Sequence, residues 1–140
     1  MQVIVDTGPW VALIDRSEER HEECVEWLRQ FEGDIFSSEA VLTEVLYLLN
    51  FSSKAQSAAI DFALNGAITL VPSSLESLKR AKRLMEKYKD IPMDYADATL
   101  VCLAEDLSIT HVVTFDVKDF GIYRSSLKKP FLVLPSPRQG

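Results

Sequence analysis

The sequence predicts an α/β protein: a central, mainly parallel sheet of about five strands with helices on both faces. Three observations predict it. Short apolar runs recur along the chain, each bounded by polar or turn-forming residues. Between them lie stretches whose apolar residues repeat at helical spacing. The two kinds of segment alternate, as they do when parallel strands are joined by helical crossovers.

The elements follow in order. Residues 2–5 form an apolar run closing on Asp6-Thr7-Gly8, a buried strand followed by a turn. Pro9 suits the first turn of a brief helix that runs from Trp10 to Ile14. A clear helix spans about 19–31, with Cys24, Trp27, Leu28 and Phe31 as its apolar stripe and Gly33 just past its end. Ile35 and Phe36 make a short second strand. Ser37 or Ser38 caps the next helix, 39–49, in which Val41, Val45, Leu48 and Leu49 face inward and Glu44 lies within the first two turns.

Ser53 and Gln56 have capping-box spacing and open a helix over 54–65 that Gly66 closes. A third strand covers 68–71. Ser73 and Glu76 form a second capping box, and the helix runs on to about 88 with Leu75, Leu78, Leu84 and Met85 inward. Ala96, Leu100, Leu103, Ala104 and Leu107 mark a helix over 95–107. Residues 111–115 are a buried strand, followed by an acidic loop carrying Asp116 and Asp119. Residues 131–134 are the last strand, and Pro135 and Pro137 mark a frayed tail. With no repeat or linker, residues 1–140 form one domain.

The 140 residues are 47% apolar, enough for a full core. No run approaches the ~20 apolar residues of a membrane span. The opening MQVIVDTG lacks the basic region and cleavage site of a signal peptide. Cys24 and Cys102 fall on apolar helix positions, as reduced core thiols of a cytoplasmic protein do. A net charge of −6 and a pI near 4.9 exclude tight polyanion binding by bulk electrostatics. A nucleic-acid substrate met by a divalent cation is still compatible with them.

In parallel sheets, ligands bind beyond the carboxyl ends of the strands. Asp6 and Asp116 follow two such ends. Asp94, Asp97 and Glu44 belong to early helical turns, which emerge at the same edge. Carboxylates brought together there repel one another unless a cation intervenes. A site made only of oxygen donors favours Mg²⁺ or Mn²⁺ over zinc. His21, in a helix, and His111, at a strand start, are not placed as ligands. Such an ion serves phosphate chemistry, and with no Ser, Cys or His nucleophile nearby, attack by water activated at the metal fits best. Thr7 and Thr114, each near an aspartate, can orient a carboxylate or a water. Asp94 with Asp97 also fits a plain helix cap, Asp119 a turn cap, and Glu44 a solvated helix position.

These segments together resemble the PIN-domain proteins, in particular the VapC-like ribonuclease toxins of toxin–antitoxin pairs. The resemblance rests on VIVDTGPWVALID, on Thr43-Glu44, on DYADATLVCLAE and on TFDVKDF, and it covers essentially the whole chain. It matches the family's acids to Asp6, Glu44, Asp97 and Asp116, with Asp94 and Asp119 where further acids occur. It implies a three-layer α/β/α sandwich, a Mg²⁺- or Mn²⁺-dependent endoribonuclease, a homodimer, and a cognate antitoxin over the acidic groove. The alternatives are a nuclease outside a toxin pair or a catalytically idle binding module, and the intact set of four acids speaks against the second.

Two other acid-gathering folds fit less well. A phospho-accepting receiver needs an aspartate after the middle strand, where Pro72-Ser73 stand. A haloacid-dehalogenase-type phosphatase needs a second aspartate at position 8, which is Gly8. Charge for an RNA backbone is available from Lys79, Arg80, Lys82, Arg83, Lys87 and Lys89, although an ordinary solvated helix face explains that group more simply. Arg124, Lys128 and Lys129 form a second group, nearer the acids.

Overall fold

Apolar runs too short for helices pair into one five-stranded, all-parallel sheet of order β3-β2-β1-β4-β5. The computed structural model describes residues 1–125 and 130–135. The strands are β1 (Gln2–Val5), β2 (Asp34–Ser38), β3 (Thr69–Val71), β4 (His111–Val113) and β5 (Leu132–Leu134). The helices are α1 (Thr7–Ile14), α2 (His21–Gln30), α3 (Glu39–Leu48), α4 (Ser53–Leu64), α5 (Leu75–Lys87), α6 (Tyr95–Leu107) and α7 (Val117–Ile122).

This strand order places the site. From β1 the chain moves outward through β2 to β3, then returns to lay β4 on the other side of β1. Right-handed crossovers therefore put the connections before β3 on one face and those after it on the other. The direction reverses between β1 and β4, and such a reversal opens a crevice at the carboxyl ends of the two strands. Asp6 lies at that point, its N–H donating to the Val113 carbonyl at 2.9 Å.

The core is built where the strands meet α1, α3 and α6. Val3, Ile4, Val5, Trp10, Val41, Val45, Leu49, Leu100, Val101 and Val112 are almost wholly removed from water. Helix α6 is buried nearly all round: Ala96 and every residue from Ala98 to Ala104 are inside. Its small residues allow this close approach on more than one side. Cys24 and Cys102 are free, buried thiols, as expected.

Local boundaries differ from the sequence expectations for identifiable reasons. Asp6-Thr7-Gly8 is not a turn: Asp6 is an N-cap, and α1 begins at Thr7. The α4 cap is Ser52, not Ser53, and Gln56 instead donates its amide to the Leu46 carbonyl at 2.9 Å. The α5 capping box is Ser74 with Ser77, not Ser73 with Glu76. In each case two adjacent serines compete for one cap, and the packing angle of the helix chooses between them. Gly33 is not a helix closure. Its φ of +145° carries the backbone so close to Met1 that a Cβ there would stand 1.9 Å from the Met1 carbonyl oxygen. The acidic segment after β4 is not a loop but α7, capped by Asp116.

Three side chains expected inside are outside. Leu48 is 50% exposed, Leu78 47% and Leu75 83%. The residue of α5 that is buried is Ala81. Leu75, Leu78 and Met85 instead line a broad surface groove of about 1050 Å³ with Lys79, Lys82 and Tyr95. Helical periodicity identifies an apolar face but not what covers it. The tail at Pro137 lies outside the described residues.

Candidate active site

Each strand end and helix start at the central crevice delivers a carboxylate, and a hydroxyl holds three of them. Asp6 follows β1 and caps α1. Its Oδ1 accepts the Thr7 N–H at 2.8 Å, and its Oδ2 accepts the Thr114 hydroxyl at 2.8 Å. Glu44, one turn into α3, accepts the Thr7 hydroxyl on Oε2 at 2.8 Å. Asp97, in the first turn of α6, accepts the Tyr123 hydroxyl on Oδ2 at 3.0 Å. Thr114 also accepts the Asp116 N–H at 3.0 Å, and Asp116 in turn caps α7 by accepting the Asp119 N–H at 3.1 Å. Asp94 plays the capping role its position suggested, accepting the Asp97 N–H at 2.8 Å.

The electrostatics show that these acids feel one another. The Asp6 carboxyl is pushed up to about 6, first by burial and then, against the Thr7 and Thr114 hydrogen bonds, by Asp94 and Glu44. Asp97 is pushed up to about 7, by burial first and next by Asp94, Asp6 and Asp116. Asp119 is raised by burial, then by its hydrogen bond to Asp116 and that group's charge. The Tyr123 hydroxyl is pushed well above the ordinary phenol range, by burial and then by Asp97, so it stays a donor. None of these acids is in an ion pair with Lys or Arg among the described residues.

The four acids Asp6, Glu44, Asp97 and Asp116 are thus electrostatic neighbours on one edge. Among the described residues, however, no three Asp, Glu, His or Cys side chains are gathered closely enough to hold one ion as they stand. The donor set itself, carboxylate oxygens that repel one another without a compensating cation, has the chemistry of a hard-dication site.

Residues 3–123 match the PIN domain. The chain belongs to the PIN-domain family. Across 135 residues, 95% of this chain and 100% of the relative, it is 27% identical to ribonuclease VapC26 of Mycobacterium tuberculosis. Its fold is similar to the crystal structure of VapC20 from the same organism, a sarcin–ricin loop cleaving toxin, with a TM-score of 0.77 and 22% identity over 83% of this chain and 91% of that one. It is also similar to VapBC2 from Rickettsia felis, solved bound to a DNA fragment from its promoter, with a TM-score of 0.63 and 18% identity over 95% and 97% of the two chains. The central parallel sheet between helical layers is the fold that the sequence predicts.

Two features of this PIN domain escape sequence reasoning. Tyr123 lies 26 residues from Asp97, with no local pattern joining them. Only its place three residues after Phe120, with Ile122 between them, hints at burial. Arg80, one of the cations offered for an RNA backbone or, more simply, for a solvated helix face, is instead committed to partners on α6. Its guanidinium pairs with Asp106 at 2.8 Å and Glu105 at 2.9 Å, and donates to the Cys102 carbonyl at 3.3 Å. Arg124 donates to the Gly121 and Tyr123 carbonyls. Lys128 and Lys129 lie outside the described residues. No helix among the described residues is long and apolar enough to cross a membrane.

Proposed function

We propose that this PIN domain is a Mg²⁺- or Mn²⁺-dependent endoribonuclease acting in the cytoplasm as the toxin of a toxin–antitoxin pair. One observation carries the reading. Asp6, Glu44, Asp97 and Asp116, from four separate stretches of the chain, share the crevice at the ends of β1 and β4: Glu44 helps raise the Asp6 carboxyl, and Asp6 and Asp116 help raise that of Asp97. The full-length similarity to ribonuclease VapC26 supports the reaction class. The likeness to VapC20 and VapBC2 supports a toxin with an antitoxin partner.

In this reading Asp6, Glu44, Asp97 and Asp116 would hold the dication, their carboxylates drawing closer around it than they stand without it. A bound dication supplies positive charge that makes water a stronger nucleophile and stabilises the departing oxygen of an RNA phosphodiester. The chain's own part is positional. Thr114 and the Thr7 N–H fix both oxygens of Asp6, and the Thr7 hydroxyl fixes one oxygen of Glu44. Each held carboxylate keeps lone pairs free for a ligand. Partial burial of Asp6 and Asp97 lowers the local dielectric and strengthens the charge interactions there. A homodimer is supported by the apolar groove along α5, where Leu75 and Leu78 face solvent beside Tyr95 at the start of α6.

The test is cleavage of mixed RNA by purified protein with Mn²⁺ or Mg²⁺, with and without excess chelator. Metal-dependent endonucleolytic products are expected. Activity that persists in chelator would overturn the mechanism, and light scattering that reports a monomer at micromolar concentration would overturn the dimer.

A further inference from the structure

We infer that Tyr123 is a positioning residue for Asp97: its buried hydroxyl fixes one carboxylate oxygen so that the other stays free for the ligand of the acidic crevice. The inference rests on the metal-dependent reading above and adds a residue that none of the four acids implies.

The geometry is specific. Tyr123 is fully buried, at 0% exposure. Its ring stands edge-on to Tyr88 and to Phe120, with centroids 5.2 Å away in both cases. Phe120 is pinned in turn against Phe131. The Tyr88 hydroxyl accepts the Arg124 N–H at 3.0 Å, which fixes the backbone just after Tyr123. The ring therefore has little freedom to turn, and its hydroxyl meets Oδ2 of Asp97 at 3.0 Å. That is the single side-chain hydrogen bond Asp97 accepts among the described residues, and Oδ1 has none.

The bond also joins two acid-bearing elements. Tyr123 closes α7, its N–H donating to the Asp119 carbonyl at 3.0 Å. Asp116 opens the same short helix. A hydroxyl at one end of α7 thus ties it to the start of α6, and the spacing between Asp97 and Asp116 depends on that tie. A buried phenol would be costly without a partner, and a half-buried carboxylate gains from a fixed donor. Here each satisfies the other. Outer hydrogen bonds of this kind orient ligands, and their loss typically costs about 10–100-fold in metal affinity or activity.

The experiment compares Tyr123→Phe with Tyr88→Phe. Both keep the aromatic packing and remove one hydroxyl, but only the first touches an acid. Mn²⁺ binding is measured directly by calorimetry and by the rise in Tm at saturating Mn²⁺, alongside steady-state RNA cleavage. Tyr123→Phe is expected to weaken Mn²⁺ binding about tenfold or more. It should also lower kcat with little change in KM, and regain activity as Mn²⁺ is raised. Tyr88→Phe is expected to lower Tm and leave Mn²⁺ affinity unchanged. Wild-type Mn²⁺ affinity in a folded Tyr123→Phe protein would overturn the role of Tyr123 alone. Absence of Mn²⁺ binding in the wild type would overturn both this inference and the function it rests on. Equal loss of affinity in the two variants would reduce Tyr123 to a packing residue and overturn the inference.

Discussion

The hydroxyl of Thr7 reaches across from α1 to Oε2 of Glu44 on α3, a 2.8 Å bond between residues 37 apart in sequence. The same residue's N–H holds Asp6. One buried threonine thereby sets the spacing of two acids on different elements.

Thr7→Val keeps the shape and the N–H but removes the hydroxyl. Stability should fall by only about 1 kcal/mol, the usual net value of such a bond. RNA cleavage should fall by roughly tenfold or more, because Glu44 loses its tether. Chemical denaturation and initial cleavage rates on the same preparation measure the two effects.

Asp97→Asn removes a ligand charge at nearly constant volume. Cleavage should drop at least about 100-fold. The metal-free protein should become more stable, since the substitution relieves repulsion with Asp94, Asp6 and Asp116. A Tm measured in chelator at pH 8 should rise by a few degrees, and the further rise on adding Mn²⁺ should shrink or vanish.

The raised carboxyls also set a pH dependence. Asp6 and Asp97 stand at about 6 and about 7 when folded, against an ordinary carboxyl value of 3.8. The folded state thus binds protons more tightly than the unfolded state. Their contribution to stability is fully present below about pH 4 and is lost as pH rises through 6 and 7. In chelator, Tm should decline between pH 5 and pH 8. Saturating Mn²⁺ should flatten that decline by compensating the ionised carboxylates. A metal-free Tm that rises across this interval would contradict the assigned environments.

Arg80 offers a contrasting case. It joins α5 to α6 through Asp106, Glu105 and the Cys102 carbonyl. Arg80→Ala should cost about 1–2 kcal/mol, more than a lone surface pair, because several partners lose their donor together. RNA cleavage per folded molecule should be unchanged. A strong loss of RNA affinity with unchanged Tm would instead restore Arg80 to the substrate face.

Much of the fold is legible before any coordinates because it is encoded locally. Alternating apolar runs and helical stripes give β1 to β5 and α1 to α6 but not α7, since a helix of six residues is too short to show a period. Asp6, Asp97 and Asp116 are legible as candidates because strand ends and helix starts are local features. The capping serines are legible only to within one residue, since Ser52 and Ser53 are chemically equal until packing orients the helix.

By itself, the sequence determined the parallel α/β architecture and singled out Asp6, Glu44, Asp97 and Asp116 as candidate acids at strand ends and early helical turns. Those follow from periodicity, connection rules and side-chain chemistry, all properties of short stretches of chain. Only the tertiary structure decided that the Tyr123 hydroxyl meets Asp97, that the Thr7 hydroxyl meets Glu44, that Arg80 pairs with α6, and that Leu75 and Leu78 face water. Each depends on which distant surfaces meet, and no local pattern carries that information.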